Sequence, residues 1–496
     1  MSVGVETPAR PISPGPLTAA ARRAREPLRA PELWLVAALT VAGAALRFST
    51  LDLQSFWHDE AVTVGRVLDP NLFTTLGHVP SSEATPPLYY VLAWAWTKLF
   101  GSGEVGIRSL SAVLGTATIP VAWWAGRALV TRAVALGAAA LVAVSPYMVW
   151  YSQEARAYAL LVLLCGVSLA LFAQALRRPG ARWLVWWAVA SALALLAHYF
   201  AVFVVAPELA ALLWLVPERR RAVLGAGAAV AAVGIALVPL AVHQADRGHD
   251  GWIAQIPLGT RLSDTAKQFV LGYSGSPSRA LSAVTAILLA GVAAFALWRG
   301  RARRGWWLAA GIGAVALATP LAAKAVGVDY LYPRNMVGAW VPLAVALGAA
   351  AWSRMGALAL GALCAALLAL TIAVDVDTKL QRSDWRDAAA AIGPAREPRA
   401  IVTPAVGDDP IAYYTGGVKL AHGAVTVREI DALAFSGAGR PAGRRVPRGF
   451  RQVSRRRVAG FVLVRYSSAL PRRIGRPELA LARLGTGHAA VVVQRP

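Results

Sequence analysis

The sequence is poor in charge and poorer still in cysteine. Charged residues make up 15% of its 496 positions against 57% hydrophobic. With a mean hydropathy of +0.52, this excludes an ordinary soluble protein of that length. The two cysteines, Cys165 and Cys364, both lie inside apolar stretches, which excludes a disulfide framework and a cysteine zinc site. Acids number 26 against 50 bases. No zinc-finger, helix-turn-helix or RNP-type pattern accompanies that excess, so its placement matters more than its sum. No convincing small-residue cleavage site follows the first apolar stretch, which argues against a cleaved signal peptide. No strong internal repeat is visible.

What the chain does have is apolar stretches, many long enough to cross a hydrocarbon core about 30 Å thick. The expected spans are Leu33–Phe48, Ser109–Gly126, Ala133–Val149, Tyr158–Leu176, Trp183–Ala197, Ala201–Val216, Ala222–Val242, Ala280–Trp298, Trp306–Leu321, Met336–Trp352 and Gly356–Val374. Basic clusters mark every second connection: Arg22 to Arg29, Arg127 and Arg132, Arg177 to Arg182, Arg219 to Arg221, Arg299 to Arg304, and Arg354. Short cytoplasmic loops carry such an excess. The expectation is therefore about eleven transmembrane helices, the N-terminus inside and the tail outside.

Residues 1–32, rich in Pro, Ala and Arg, read as a disordered cytoplasmic segment, and residues 33–374 as the membrane domain. Pro86–Phe100 is apolar but short for a span. A helix in the outer interface suits its Trp and Tyr rings, and a strongly tilted span is the alternative. From residue 375 to 496, Pro and Gly punctuation, a helical pattern in Asp384–Ile392 and short β-like runs predict a small extracytoplasmic α/β domain. Its arginines suit anionic lipid or an envelope polymer, or simply a soluble surface.

This topology collects the unusual polar residues on the outer side. They are Trp57-His58-Asp59-Glu60, Glu83 before Pro86-Pro87-Leu88-Tyr89-Tyr90, Tyr151-Ser152-Gln153-Glu154-Ala155-Arg156-Ala157-Tyr158, His198-Tyr199, and Tyr332-Pro333-Arg334. A carboxylate beside an acceptor hydroxyl serves as general base, and arginine forks hold phosphate. A glycosidase generally needs a second carboxyl to protonate its leaving group. A sugar phosphate leaves as a stabilised anion, so one base with cationic help suffices. Singly, each signal has a plainer account: solvated loop acids at 59 and 60, a Glu154–Arg156 pair, an interfacial His198, a lipid-anchoring Arg334. Glu208, inside the sixth span, is a buried acid and a functional suspect with no partner in the sequence.

Taken together, Trp57-x-Asp59-Glu60, Glu83-x-x-Pro86-Pro87-Leu88-Tyr89-Tyr90, Phe100-Gly101 with Arg108, Ser145-Pro146, Tyr151-Ser152-x-Glu154-Ala155-Arg156-x-Tyr158, His198-Tyr199 and Tyr332-x-Arg334 resemble the bacterial membrane glycosyltransferases of family 39. These are GT-C enzymes similar to protein O-mannosyltransferases and to the aminoarabinose transferase of lipid A. Asp384-Trp385-Arg386 and Tyr413-Tyr414 also look like such proteins. The resemblance implies a GT-C fold, a polyprenyl-phosphate sugar donor (mannose or a pentose), inversion, and an acceptor that is protein, lipid or polysaccharide. It implies Asp59 as base, with Glu60 beside it. Glu154 and Arg156, with Tyr158, Arg334 and His198, are the candidates for donor and phosphate binding. Trp57, Glu83 and Tyr89 are those for acceptor or loop positioning. Relatives often carry histidine where Thr85 stands, which puts the task of Glu83 in question. No residue set has metal-ligand spacing, so no tightly bound metal and no nucleic acid are expected, while a divalent cation stays open. The setting is the plasma (inner) membrane. The competing readings are a lipid-linked sugar flippase and a non-catalytic envelope scaffold.

Overall fold

The computed structural model describes residues 30–178, 180–248, 251–439 and 445–496. Residues 1–29, with Arg22, Arg23, Arg25 and Arg29, lie outside the described residues. The first helix is Ala30–Phe48, three residues longer than expected at its start, because Glu32 accepts the Trp123 indole N–H (3.0 Å).

All eleven apolar stretches fold as helix. Among the described residues, eight helices are long and apolar enough to cross a membrane, from Ala30–Phe48 to Arg354–Val376. A bent pair, Arg132–Val144 and Pro146–Ser152, makes a ninth. Ala181–Ala197 and Tyr199–Leu215 are shorter apolar helices, so length alone does not reach eleven. Tyr158–Arg177 and Pro333–Trp352 are inner helices, 72% and 78% buried, whereas Arg279–Gly300 is 17% buried and shows Ile287 and Leu297 outward.

The bent pair breaks at Ser145-Pro146, by 59°. Proline lacks the N–H that would continue the ladder and pushes the preceding residue out of helical geometry; Ser145 accordingly sits at φ −61°, ψ 122°. The carbonyls left over at that helix end need partners. Arg47, fully buried, supplies them by donating to Val142 O (2.9 Å) and Ala143 O (3.0 Å). This turn leads into the largely buried residues 150–156, among which Tyr151, Glu154 and Arg156 line a cavity.

The loop between the first two of these long helices is itself helical. It holds His58–Val62, a π turn Thr63–Val67, Leu72–Ser82 and Leu88–Phe100. Asn71 caps the third by accepting from Phe73 N (2.7 Å), as short polar side chains do. Leu88–Phe100 has 13 residues, about 20 Å at 1.5 Å each, too short to cross. It buries Tyr89, Tyr90 and Ala93 and leaves Leu99 exposed.

Beyond Val376 the chain forms a six-stranded sheet: β1 Arg399–Pro404, β2 Val418–Lys419, β3 Ala424–Phe435, β4 Arg451–Val458, β5 Phe461–Gly475 and β6 Ala489–Gln494. The order is β2-β6-β1-β3-β5-β4. β1 runs parallel to β3 (Ile401 opposite Asp431) and antiparallel to β6 (Ile401 opposite Val492). Strand alternation sends Ala400 and Val402 to one core and Ile401 to another. Trp385–Ile392 and Asp408–Thr415 pack on the second. The expected helix over 384–392 and strands near 400, 461 and 489 are all present.

Candidate active site

Asp59 and Glu60 stand in the first turn of His58–Val62, where successive side chains diverge by about 100°. They part completely. Glu60 is fully buried. It accepts from Arg108 Nε (2.8 Å) and Nη2 (2.7 Å) and from Ala155 N (2.9 Å), and it reaches back to Trp57 N (3.3 Å). Arg108 also donates to the carbonyls of Leu51 and Gln54 (2.8 and 2.6 Å). Glu60, expected among the catalytic groups, is therefore absent from the cavity wall that Asp59 lines: its oxygens face a buried layer that fixes the loop to the Glu104–Leu129 helix.

Asp59 instead faces a polar cavity of about 440 Å³. Arg334 Nη1 donates to its Oδ2 (2.9 Å). Burial alone would raise this carboxyl, but the Arg334 and Arg156 charges hold it below its ordinary value. Arg156 Nη1 donates to Glu83 Oε2 (2.6 Å) and to the Thr63 hydroxyl (2.9 Å), and Thr63 in turn donates to Glu83 Oε1 (3.0 Å). Glu83 therefore pins the second-loop arginine to the first loop, and the simple Glu154–Arg156 pair does not form. Thr85 binds the Tyr90 hydroxyl (2.7 Å).

Glu154 pairs with Arg382, which the sequence reading missed. Arg382 follows the last membrane helix, with its guanidinium 4.6 Å from the Trp57 ring, 4.4 Å from Trp150 and 5.1 Å from Tyr273. It stands two residues before the noted Asp384-Trp385-Arg386, which was the only available signal. Burial pushes the Glu154 carboxyl above its usual range, with Arg382 opposing. Arg334 lies 5.3 Å from the Trp252 ring. Its loop is fixed by Tyr147 Oη donating to Pro333 O (2.7 Å) and by Arg261 on Asp329 (2.6 Å).

Thus Trp57, Asp59, Glu83, Glu154, Arg156 and Arg334 share the cavity wall with Arg382. Besides Glu60, three candidates do not reach it. Tyr158 packs behind, 5.0 Å from the Tyr151 ring and 5.8 Å from His198. His198 accepts from Phe200 N (3.4 Å), and burial with the Arg156 and Arg334 charges lowers its imidazole to about 3. It is therefore neutral at physiological pH. Tyr89 is buried against Tyr90. Glu208 is tied to Trp187 Nε1 (2.8 Å) and Ser168 (3.2 Å).

The tail clasps this region. Phe56 N donates to Tyr414 Oη (2.7 Å), and Arg66 grips Asp409 through 2.6 and 2.5 Å bonds. His58, Asp408 and Asp409 bring potential metal ligands within 4.8 Å of one another. Lys419 already lies 2.7 Å from Asp408 and 2.5 Å from Asp409, so these acids are matched by cations. A second cavity, apolar and about 530 Å³, is lined by Phe269, Leu289, Trp306, Leu331, Met336 and Trp340. The segment 331–336 contributes to both, with Leu331 and Met336 on the apolar wall and Tyr332 and Arg334 on the polar one.

Residues 84–244 match the family model described as dolichyl-phosphate-mannose-protein mannosyltransferase. No curated protein matches. Among solved structures, ArnT from Cupriavidus metallidurans in the apo state is 13% identical, with a TM-score of 0.58 over 88% of this chain and 98% of that one. The apo oligosaccharyltransferase of Archaeoglobus fulgidus is also 13% identical, over 72% of this chain and 57% of that one, with a TM-score of 0.48. The S. cerevisiae protein O-mannosyltransferase complex is 20% identical over 45% and 34%, with a TM-score of 0.35. The last two likenesses are too partial to argue from. The matched segment runs from just before the Leu88–Phe100 helix to near the end of the Arg220–Asp246 helix, and the fold around it is similar to that of ArnT.

Proposed function

We propose that the protein transfers a sugar from a polyprenyl-phosphate carrier to an acceptor hydroxyl at the outer membrane face, with inversion. The observation that carries this is the Asp59–Arg334 pair lining a polar cavity, with Leu331 and Met336 of the Arg334 segment lining an apolar cleft. The cleft suits a prenyl tail, and the cavity suits the sugar and its phosphate. Mannose or a pentose is the sugar class suggested by the matched family and the ArnT fold.

Asp59 accepts the proton of the attacking hydroxyl. The acceptor oxygen bonds to the anomeric carbon as the bond from that carbon to the phosphate oxygen breaks. The electron pair leaves with the lipid phosphate, beside Arg334 and Arg156. Cations fixed where charge develops lower the barrier without reorganising. The reading places the N-terminus in the cytoplasm, the tail domain outside, and the chain in the plasma membrane. It assigns no tightly bound metal and leaves a loosely held divalent cation open; transfer that a chelator abolishes and added magnesium restores would reveal that ion.

The test uses membranes holding wild type or Asp59→Asn with a panel of radiolabelled polyprenyl-phosphate sugars. Label transfer and release of lipid phosphate are both followed. One donor consumed by wild type alone is the expected result. Equal consumption by both would remove Asp59 from the step, and consumption by neither would overturn the transferase.

A further inference from the structure

The arginines of this chain fall into two sets. Those at the cavity and its clasp face carboxylates: Arg66, Arg108, Arg156, Arg334, Arg382 and Arg386 all do. From Ala432 to Pro477, by contrast, the chain carries 12 arginines and no Asp, Glu or Lys. Arg445, Arg448, Arg451, Arg455, Arg456, Arg457, Arg472 and Arg473 are exposed. Among the described residues none of these eight forms an ion pair.

Four of them lie on β4, the end strand of the sheet. Every residue from Arg451 to Arg457 is exposed. Strand alternation puts Arg455 and Arg457 on one face and Arg456 on the other. Blunting of an edge against aggregation is the ordinary reason for such charges. A row of one sign repels the same edge of another copy, yet it leaves the backbone open to a strand of opposite sign. A flat lipid surface would meet one face only, and the patch offers it Val446, Val453 and Leu470 but no exposed aromatic ring. An added strand lies in the sheet plane and shows side chains to both faces, as β4 does. The turn beyond β4 rests on the linker, where Asp384 N donates to Ala459 O (3.2 Å).

We propose that the edge of β4 at Ser454–Arg457, paired with no strand other than β5 among the described residues, binds an extended acidic polypeptide segment by strand addition. Backbone hydrogen bonds would supply affinity, and guanidinium–carboxylate forks on both faces would supply selectivity. This does not rest on the transferase reading, because binding needs no donor.

The full chain in detergent micelles is titrated into a labelled ten-residue peptide alternating Glu and Thr, followed by fluorescence anisotropy. A second peptide of equal charge is N-methylated at alternate residues, which removes the pairing N–H groups. Saturable binding is expected, weakened at least tenfold by N-methylation and by the combined Arg455→Glu, Arg456→Glu and Arg457→Glu substitutions. Equal binding of the N-methylated peptide would overturn strand addition, using unmodified protein. Failure to bind the peptide while anionic phosphatidylglycerol vesicles are captured would overturn it in favour of lipid.

Discussion

Asp59 and Glu60 follow each other in one helical turn yet belong to two regions. Asp59 and Arg334 are 19% and 14% exposed, into the cavity, while Glu60 and Arg108 are 0% and 4% exposed in the layer beneath. In the cavity a cation meets a carboxylate with room beside it for a ligand. In the layer every charge is enclosed by protein, with Arg108 spending donors on loop carbonyls. Ion pairing is thus no mark of catalysis here. Access is what separates the two, and the two kinds of pair should fail in different ways.

The largest difference should come from Asp59→Asn. A lost general base costs about 10²- to 10⁴-fold in rate, while the protein stays folded. Glu60→Gln reverses the pattern. It leaves a buried guanidinium without its countercharge, a loss of about 3–5 kcal/mol. Thermal unfolding in detergent should report that loss, and the surviving folded fraction should turn over at the wild-type rate per molecule. A stable but inactive Glu60→Gln would merge the two regions again.

Arg382→Ala sharpens the comparison from the tail. Arg382 lines the cavity and faces Glu154, so it belongs to the accessible set although it is far away in sequence. Its loss should lower transfer by about 10²-fold, the size seen when one preorganised donor is removed from a reacting centre, with folding retained. Wild-type activity in this variant would confine it to a structural role.

A smaller effect concerns pH. Arg334 and Arg156 depress the Asp59 carboxyl while burial opposes them. A base with a depressed value stays ionised as pH falls, so the wild-type rate should be flat through neutral pH and drop only below the usual carboxylate range. Arg334→Gln removes the leading depressing charge and leaves burial in place. The acidic limb should then move up in pH, visible in a pH–rate profile of the residual activity. An unmoved limb would assign it to another group.

Much of this was legible beforehand because both signals are strong in sequence. Apolar runs and alternating arginine clusters announce the helices, and short motifs with fixed spacing announce six of the cavity residues. What sequence could not show is direction. Asp59 and Glu60 are equivalent as letters, and only the turn of the helix separates them. His198 and Tyr158 sit in motif positions but point into packing. Arg382 belongs to a segment without periodicity, and its role comes from folding back onto Trp57 and Trp150. Leu258–Leu271 was likewise unassigned. Its Arg261 positions the Arg334 loop through a contact 68 residues away.

The smallest expected effect is at Glu208. A buried acid in a membrane helix is by default a candidate for a transport or proton path. The structure gives both of its oxygens partners on neighbouring helices, Trp187 and Ser168. Glu208 is absent from the walls of both large cavities. Gln has nearly the same shape and keeps a carbonyl acceptor for one of those bonds. Hydrogen bonds between membrane helices average only about 0.6 kcal/mol, so Glu208→Gln should shift unfolding by about 1 kcal/mol or less. Sugar transfer should stay within about twofold of wild type. A variant that folds normally but loses transfer would show that the sealed interior takes part in function after all, and the division between accessible and enclosed charge would have to be redrawn around the membrane midplane.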